Sequence, residues 1–163
     1  MYKYSFNYFG SIVEAESLGI NFVPNLSQTL SCHCVPFTDD GKVVAINIVG
    51  RGIDIPGGHI DEGETATEAI MRETYEEAHI TLKNLQLIDV WLLSSVDNRL
   101  GLLEKPYLLL YVAEVQSIKI FISNSESDSR LLLDPDEFIT KYFGDKRQAK
   151  NIIDKALRSL KQA

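Results

Sequence analysis

Polar and apolar positions alternate along some stretches of the chain and recur every three or four residues along others. SQTLSCHCVPF (Ser27–Phe37) and KVVAINIV (Lys42–Val49) carry β-branched residues and cysteine on either side of DDG (Asp39–Gly41). That pattern predicts a hairpin, with Asp-Gly supplying the positive φ of its turn. LQLIDVWLL (Leu85–Leu93) and PYLLLYVAEV (Pro106–Val115) predict two more strands, joined by a largely polar loop, SSVDNRLGLLEK (Ser94–Lys105). SRLLL (Ser129–Leu133) adds a fifth short strand, and the weak alternation of YKYSFNYF (Tyr2–Phe9) adds one at an edge. Three helices follow from capping signals. The first starts at Thr65, where Thr65 and Glu68 form a T-x-x-E capping box. The second opens at DPDEF, with Asp134 as cap, Pro135 at the first helical position and Gly144 as the stop. The third runs from Lys146 to Leu160, with Ala149, Ile152, Ile153, Ala156, Leu157 and Leu160 forming one stripe against a sheet. Strands with helices between and after them make an α/β or α+β layered fold, read as a single domain over residues 1–163.

The first helix carries an anomaly. At 100° per residue, Ile70, Met71, Thr74 and Ala78 form its core face, while Glu73, Glu76 and Glu77 share another side above Ala66 and Ala69. Carboxylates at i, i+3 and i+4 repel by roughly 0.2–0.5 kcal/mol per exposed pair. Two of them also lie near the helix C-terminus, where the macrodipole disfavours anions. A solvated acidic face is the plain account. The sharper one is a cage for a hard divalent cation, which takes oxygen ligands from carboxylates and from substrate phosphates. The neighbourhood favours the cage. IPGG upstream turns the backbone tightly and can bring a bare carbonyl to the same ion, Arg72 can hold a carboxylate in a bidentate fork, and Glu64 is placed to brace the loop.

Composition narrows the setting. The chain has 163 residues, 45% of them apolar and 24% charged, which is ordinary globular composition. MYKYSFNYFG lacks the pattern of a signal peptide, and YLLLYVA (Tyr107–Ala113) is too short to span a bilayer, so a soluble, cytoplasmic protein is expected. Cys32 and Cys34, two residues apart on a strand, read as buried thiols rather than a disulfide or a metal site. A net charge of −7 without a basic cluster argues against nucleic acid as partner. An acidic protein that handles phosphates needs cations at the site.

The stretch from Gly58 to Ile80 resembles the signature of the Nudix hydrolases: Gly, five residues, Glu, seven residues, then Arg-Glu-aliphatic-any-Glu-Glu-any-Gly-aliphatic. Gly58, Glu64, Arg72, Glu73, Glu76, Glu77 and Ile80 stand at those spacings. Thr74 replaces an aliphatic residue and His79 replaces the glycine. The resemblance implies an α/β/α sandwich with a mixed sheet and Mg²⁺-dependent hydrolysis of a pyrophosphate bond in a nucleoside diphosphate derivative, with Mn²⁺ as a substitute ion. It implies Glu73, Glu76, Glu77 and the carbonyl of Gly57 as metal ligands, Glu73 ahead of Glu76 as general base, and Arg72 orienting a catalytic carboxylate. Gly58 and Glu64 would support the loop. A further acid, Glu126 or Asp128, is set against a merely solvated loop, and Arg51 as a phosphate contact against an ordinary surface arginine. The substrate expected first is a nucleoside triphosphate, intact or damaged. ADP-sugar hydrolysis, dinucleoside polyphosphate hydrolysis and nucleotide binding without cleavage are the alternatives. The partners expected are the nucleotide and at most a second copy of the chain in a homodimer; no membrane is involved.

Overall fold

The computed structural model describes residues 2–8, 10–95 and 106–162. Among them lie nine strands: β1 (Lys3–Tyr8), β2 (Ser11–Ser17), β3 (Thr29–Phe37), β4 (Val43–Ile48), β5 (Gly52–Asp54), β6 (Gly57–His59), β7 (Ile80–Ser95), β8 (Tyr107–Ile118) and β9 (Ser127–Leu133). Three helices accompany them: α1 (Ala66–Ala78), α2 (Pro135–Lys141) and α3 (Lys146–Gln162). The strands join in one mixed sheet in the order β1-β2-β7-β8-β3-β4-β5, with β6 added to β3 and β9 to β4. Only β3 and β8 pair in parallel; the other pairs are antiparallel.

Alternation along the strands divides the core in two. Val43, Ala45, Leu110 and Val112 face α2 and α3, whose Phe138, Ile152, Ile153 and Ala156 pack against them. Val44, Ile46, Leu109 and Ala113 face the other way, where Ile70 and Ala78 of α1 meet them. Each fully buried side chain of this size contributes roughly 1.5–3 kcal/mol relative to exposure. The result is the expected helix–sheet–helix sandwich. The stripe of α3 is buried as the periodicity requires, with Leu157 and Leu160 at its margin.

Several expectations change. The Asp39–Gly41 turn does join β3 to β4, but only Phe37 and Val43 pair across it. Beyond that point β3 turns to β8 and β6, and β4 to β5 and β9, so the two strands diverge. β7 begins at Ile80 rather than Leu85, because register shifts at Thr81, Lys83 and Leu87 break the alternation that would have marked it. β1 forms the expected edge, though it pairs with the unforeseen β2. Phe9 and residues 96–105, most of the predicted polar loop, lie outside the described residues. Asp134 stands at the N-cap of α2 without a side-chain capping bond; its carboxylate accepts from Lys42 at 2.9 Å instead.

One polar knot ties the layers. Asp89 is completely buried on β7. Its carboxylate accepts from Ser17 Oγ at 2.8 and 3.0 Å, from the Gly19 and Val90 N–H groups at 2.9 and 3.0 Å, and from Trp91 Nε1 at 2.5 Å. Lys155 of α3 completes it as an ion pair. Among the described residues no helix is long and apolar enough to cross a membrane.

Candidate active site

Helix α1 starts as predicted. Thr65 Oγ1 accepts from the Glu68 N–H at 3.2 Å, and Glu68 Oε2 accepts from the Thr65 N–H at 2.8 Å. Thr74 Oγ1 donates back to the Ile70 carbonyl at 2.7 Å, so the departure from an aliphatic residue is accommodated. His79 ends the helix in the left-handed region at φ 53°, a conformation that costs a non-glycine residue on the order of 1 kcal/mol. The last carbonyls are covered from the far side: Asn124 Nδ2 donates to Glu76 O, Ser127 Oγ to Glu77 O and Arg130 Nη1 to Ala78 O. Arg130 thus puts a cation where the macrodipole is negative.

The acids do not share one solvated face. Glu73 and Glu77 are buried, at 8% and 5% exposure, Glu76 is exposed, and Met71, expected in the core, is 41% exposed. The cause is a set of polar anchors on the Gly57–His59 side of the helix. Glu77 Oε2 accepts from the Gly57 N–H at 2.9 Å. Arg72 donates to both oxygens of Glu64 at 2.9 Å, to Glu73 Oε1 at 2.8 Å and to the His59 carbonyl at 3.1 Å, with Glu76 Oε2 at 3.5 Å. Glu64 in turn accepts from the Asp61 N–H, closing the loop onto the helix. Gly57 and Gly58 make this approach feasible: a Cβ at Gly57 would collide with β3 backbone, and one at Gly58 would collide with the carboxyl of Glu73.

Burial sets the electrostatics. It pushes the Glu77 carboxyl up to about 8 against the Gly57 N–H bond, with the neighbouring Glu73 charge adding to the rise. Burial also raises Glu73, opposed by Arg72. Hydrogen bonds from Arg72 hold Glu64 below its usual range. The charge of Glu126 raises Glu73 and Glu77 further, and its residue lines the same cavity. Asp128 is not brought in; it accepts from Asn47 at 2.8 Å and Ser129 at 2.7 Å.

A cavity of about 610 Å³ runs from Glu73, Glu77 and the Gly57–Gly58 backbone toward α3. Arg51 lines it without standing free. Its Nη2 pairs with Asp54 at 3.0 Å, and its guanidinium carbon lies 5.3 Å from the Tyr8 ring centroid and 5.2 Å from that of Phe143. Asp54 is pushed up to about 6 by burial, opposed by Arg51. Arg51 Nε and Gln148 Oε1 are buried without a hydrogen-bond partner among the described residues, a state that costs roughly 1–3 kcal/mol per group. His33 also lines the cavity, its imidazole pushed down to about 3 by burial. Sequence reasoning missed Asp54 and His33. The i, i+3 spacing of Arg51 and Asp54 was a signal for one. For the other, strand alternation already sets His33 opposite Cys32 and Cys34.

The donor set suits a hard divalent ion in kind: three carboxylates and a backbone carbonyl, all oxygen. The incompletely neutralised, buried pair Glu73–Glu77 adds the electrostatic demand for a cation. Among the described residues no three acidic, His or Cys side chains already converge on one point. Arg72 holds one oxygen of Glu73 and the Gly57 N–H one of Glu77, which leaves the second oxygen of each without a hydrogen-bond donor among the described residues.

Comparison with known proteins agrees with this geometry. The NUDIX domain family model matches residues 28–155. Nudix hydrolase 3 of Caenorhabditis elegans is 31% identical over 99 residues, covering 60% of this chain and 40% of that protein, so the chain spans well under two thirds of the relative. The Bacillus subtilis pyrophosphohydrolase BsRppH superposes with a TM-score of 0.71 at 17% identity, over 99% of this chain and 97% of its own. The NUDIX domain of Shewanella oneidensis NrtR, solved with ADP ribose, gives 0.65 at 16% identity over 86% and 94%. Proteins of this family generally use divalent metal ions. With Glu73 and Glu77 of the signature at one cavity and the family match running through most of the fold, the chain belongs to the Nudix hydrolase family.

Proposed function

We propose that this protein hydrolyses a pyrophosphate bond in a nucleoside diphosphate derivative, a nucleoside triphosphate first among them, with Mg²⁺ as its ion. The observation that carries the reading is the buried pair Glu73–Glu77 in the wall of a cavity large enough for a nucleotide. Two carboxylates held out of water and short of positive charge would repel a polyphosphate, so the site asks for a cation that both can share. Glu73, Glu76, Glu77 and the Gly57 carbonyl would hold it; when bound, a divalent ion neutralises phosphate oxygens and lowers the pKa of a coordinated water.

The chain's own residues do the rest. Arg72 fixes Glu73 through Oε1, leaving Oε2 to take the proton of the attacking water. The raised affinity of Glu73 for a proton suits that task better than the exposed Glu76 does. Glu64 orients Arg72 and is a positioning residue. Glu126 is the additional acid, reaching the cavity from the segment before β9. Screening nucleoside triphosphates, ADP-sugars and dinucleoside polyphosphates for released phosphate and pyrophosphate tests the reading. Activity should require Mg²⁺, disappear with EDTA and return on adding the ion. Turnover that persists in chelator would overturn it.

A further inference from the structure

The last turn of α1 is joined to the start of β9 by side chains at every third position. Asn124 Nδ2 donates to the Glu76 carbonyl at 3.1 Å, Ser127 Oγ to the Glu77 carbonyl at 2.8 Å and Arg130 Nη1 to the Ala78 carbonyl at 2.8 Å. The Ser127 bond is buried, so the Glu77 carbonyl needs a donor from the protein itself. The Asn124 bond is exposed, and water would serve the Glu76 carbonyl there. Capping alone does not account for it.

The other end of the Asn124 amide supplies a reason. Its Oδ1 accepts from the Glu126 N–H and the Ser127 N–H, both at 2.8 Å, while the Asn124 N–H donates to the Ser127 carbonyl at 2.9 Å. These bonds close a turn over residues 124–127. The Glu126 carbonyl accepts from the Val49 N–H at 2.9 Å, which fixes the turn beside the end of β4. The backbone of Glu126 is thus held on both sides, and the residue lines the cavity with Glu73 and Glu77. One amide therefore spans two elements. Its oxygen shapes the turn that carries Glu126, and its nitrogen grips the helix one residue before Glu77. Carboxylates on two elements repel unless a cation stands between them, so neutral contacts have to impose their spacing.

Resting on the reading of Glu126 as the additional acid, we infer that Asn124 is a positioning residue, which sets the distance between Glu126 and the α1 carboxylates and so the affinity of the site for its divalent ion. Asn124→Ser separates the two ends of the amide. A serine hydroxyl still accepts from N–H groups two and three residues on, but it is too short to reach the Glu76 carbonyl. The variant keeps the turn and the net charge and cuts the link.

The Mg²⁺ concentration for half-maximal turnover should rise on the order of tenfold in Asn124→Ser, with a much smaller loss in kcat at saturating ion. Metal-free Tm should fall by only about 2–4 °C, as for one exposed hydrogen bond in a chain of this size. Independently of turnover, the rise in Tm at a fixed Mg²⁺ concentration should shrink. A simple cap would lower the metal-free Tm and leave ion affinity alone. The decisive comparison is made in Glu126→Gln, where Asn124→Ser should raise the half-maximal Mg²⁺ no further because its effect passes through Glu126. Wild-type ion affinity in Asn124→Ser, or an equal rise in both backgrounds, would overturn the link. If Glu126→Gln itself leaves ion affinity unchanged, Glu126 and the link fall together and the hydrolytic reading stands. Wild-type protein with neither Mg²⁺-dependent turnover nor a Mg²⁺ shift in Tm would sink both.

Discussion

Two buried acidic sites in this fold are treated in opposite ways. Asp89 lies at the junction of β2, β7 and α3 and receives hydrogen bonds from Ser17, Gly19, Val90 and Trp91 besides the ammonium of Lys155. Glu77 lies no deeper in effect, yet among the described residues its one donor is the Gly57 N–H, and its near neighbours include Glu73 and Glu126. The first carboxylate has every lone pair answered and holds layers together. The second is left in deficit. A buried charge that the protein itself does not compensate is a demand addressed to something that binds, whereas a compensated one is structural.

The contrast can be broken most severely at Glu77. Glu77→Gln keeps the shape and removes the charge, so turnover in Mg²⁺ should fall by at least about 10³-fold, several kcal/mol of transition-state stabilisation. The metal-free Tm should hold or rise; steady-state kinetics beside thermal melts read both. At the other site the pattern inverts. Lys155→Met leaves Asp89 buried with its countercharge gone and should destabilise the fold by about 3–5 kcal/mol in urea titration. The kcat of the protein that remains folded should not change.

Acidity sharpens the comparison further. Glu77, raised to about 8, and Asp54, raised to about 6, bind protons more tightly folded than unfolded. Their contribution to stability is present in acid below the ordinary carboxylate range and is lost as pH rises through about 6 and then 8. Metal-free protein should therefore lose Tm between pH 5 and 8, and the rise in Tm on adding Mg²⁺ should be larger at pH 8 than at pH 5. A Mg²⁺ shift independent of pH would contradict the deficit at Glu77. The smallest effect is expected from Ser17→Ala, which removes one of several donors to Asp89 and should cost about 1 kcal/mol with activity intact.

What the sequence disclosed follows the same division. The signature loop and α1 were legible because their contacts are local. Thr65 with Glu68, Thr74 with Ile70 and Arg72 with Glu64 are all within eight residues, and helical spacing places them. The orientation of the helix was not legible. Polarity assigns Glu73 and Glu77 to solvent and Met71 to the core, and the Gly57 N–H, the Arg72 anchors and the missing Cβ of Gly58 reverse that choice. The Asp89 knot was invisible for a related reason, since Ser17, Asp89 and Lys155 meet only through strand pairing and helix docking. The same holds for Phe6 and Tyr8, whose alternation marks a strand but not the cavity it borders.

Gly58 and Glu73 compete for one parcel of space: the carboxyl occupies the volume where any larger residue at 58 would begin. Because that carboxyl is the free end of a long side chain, an added methyl would displace it rather than unfold the strand. Gly58→Ala should thus yield a well-folded protein that has lost the alignment between Glu73 and Arg72.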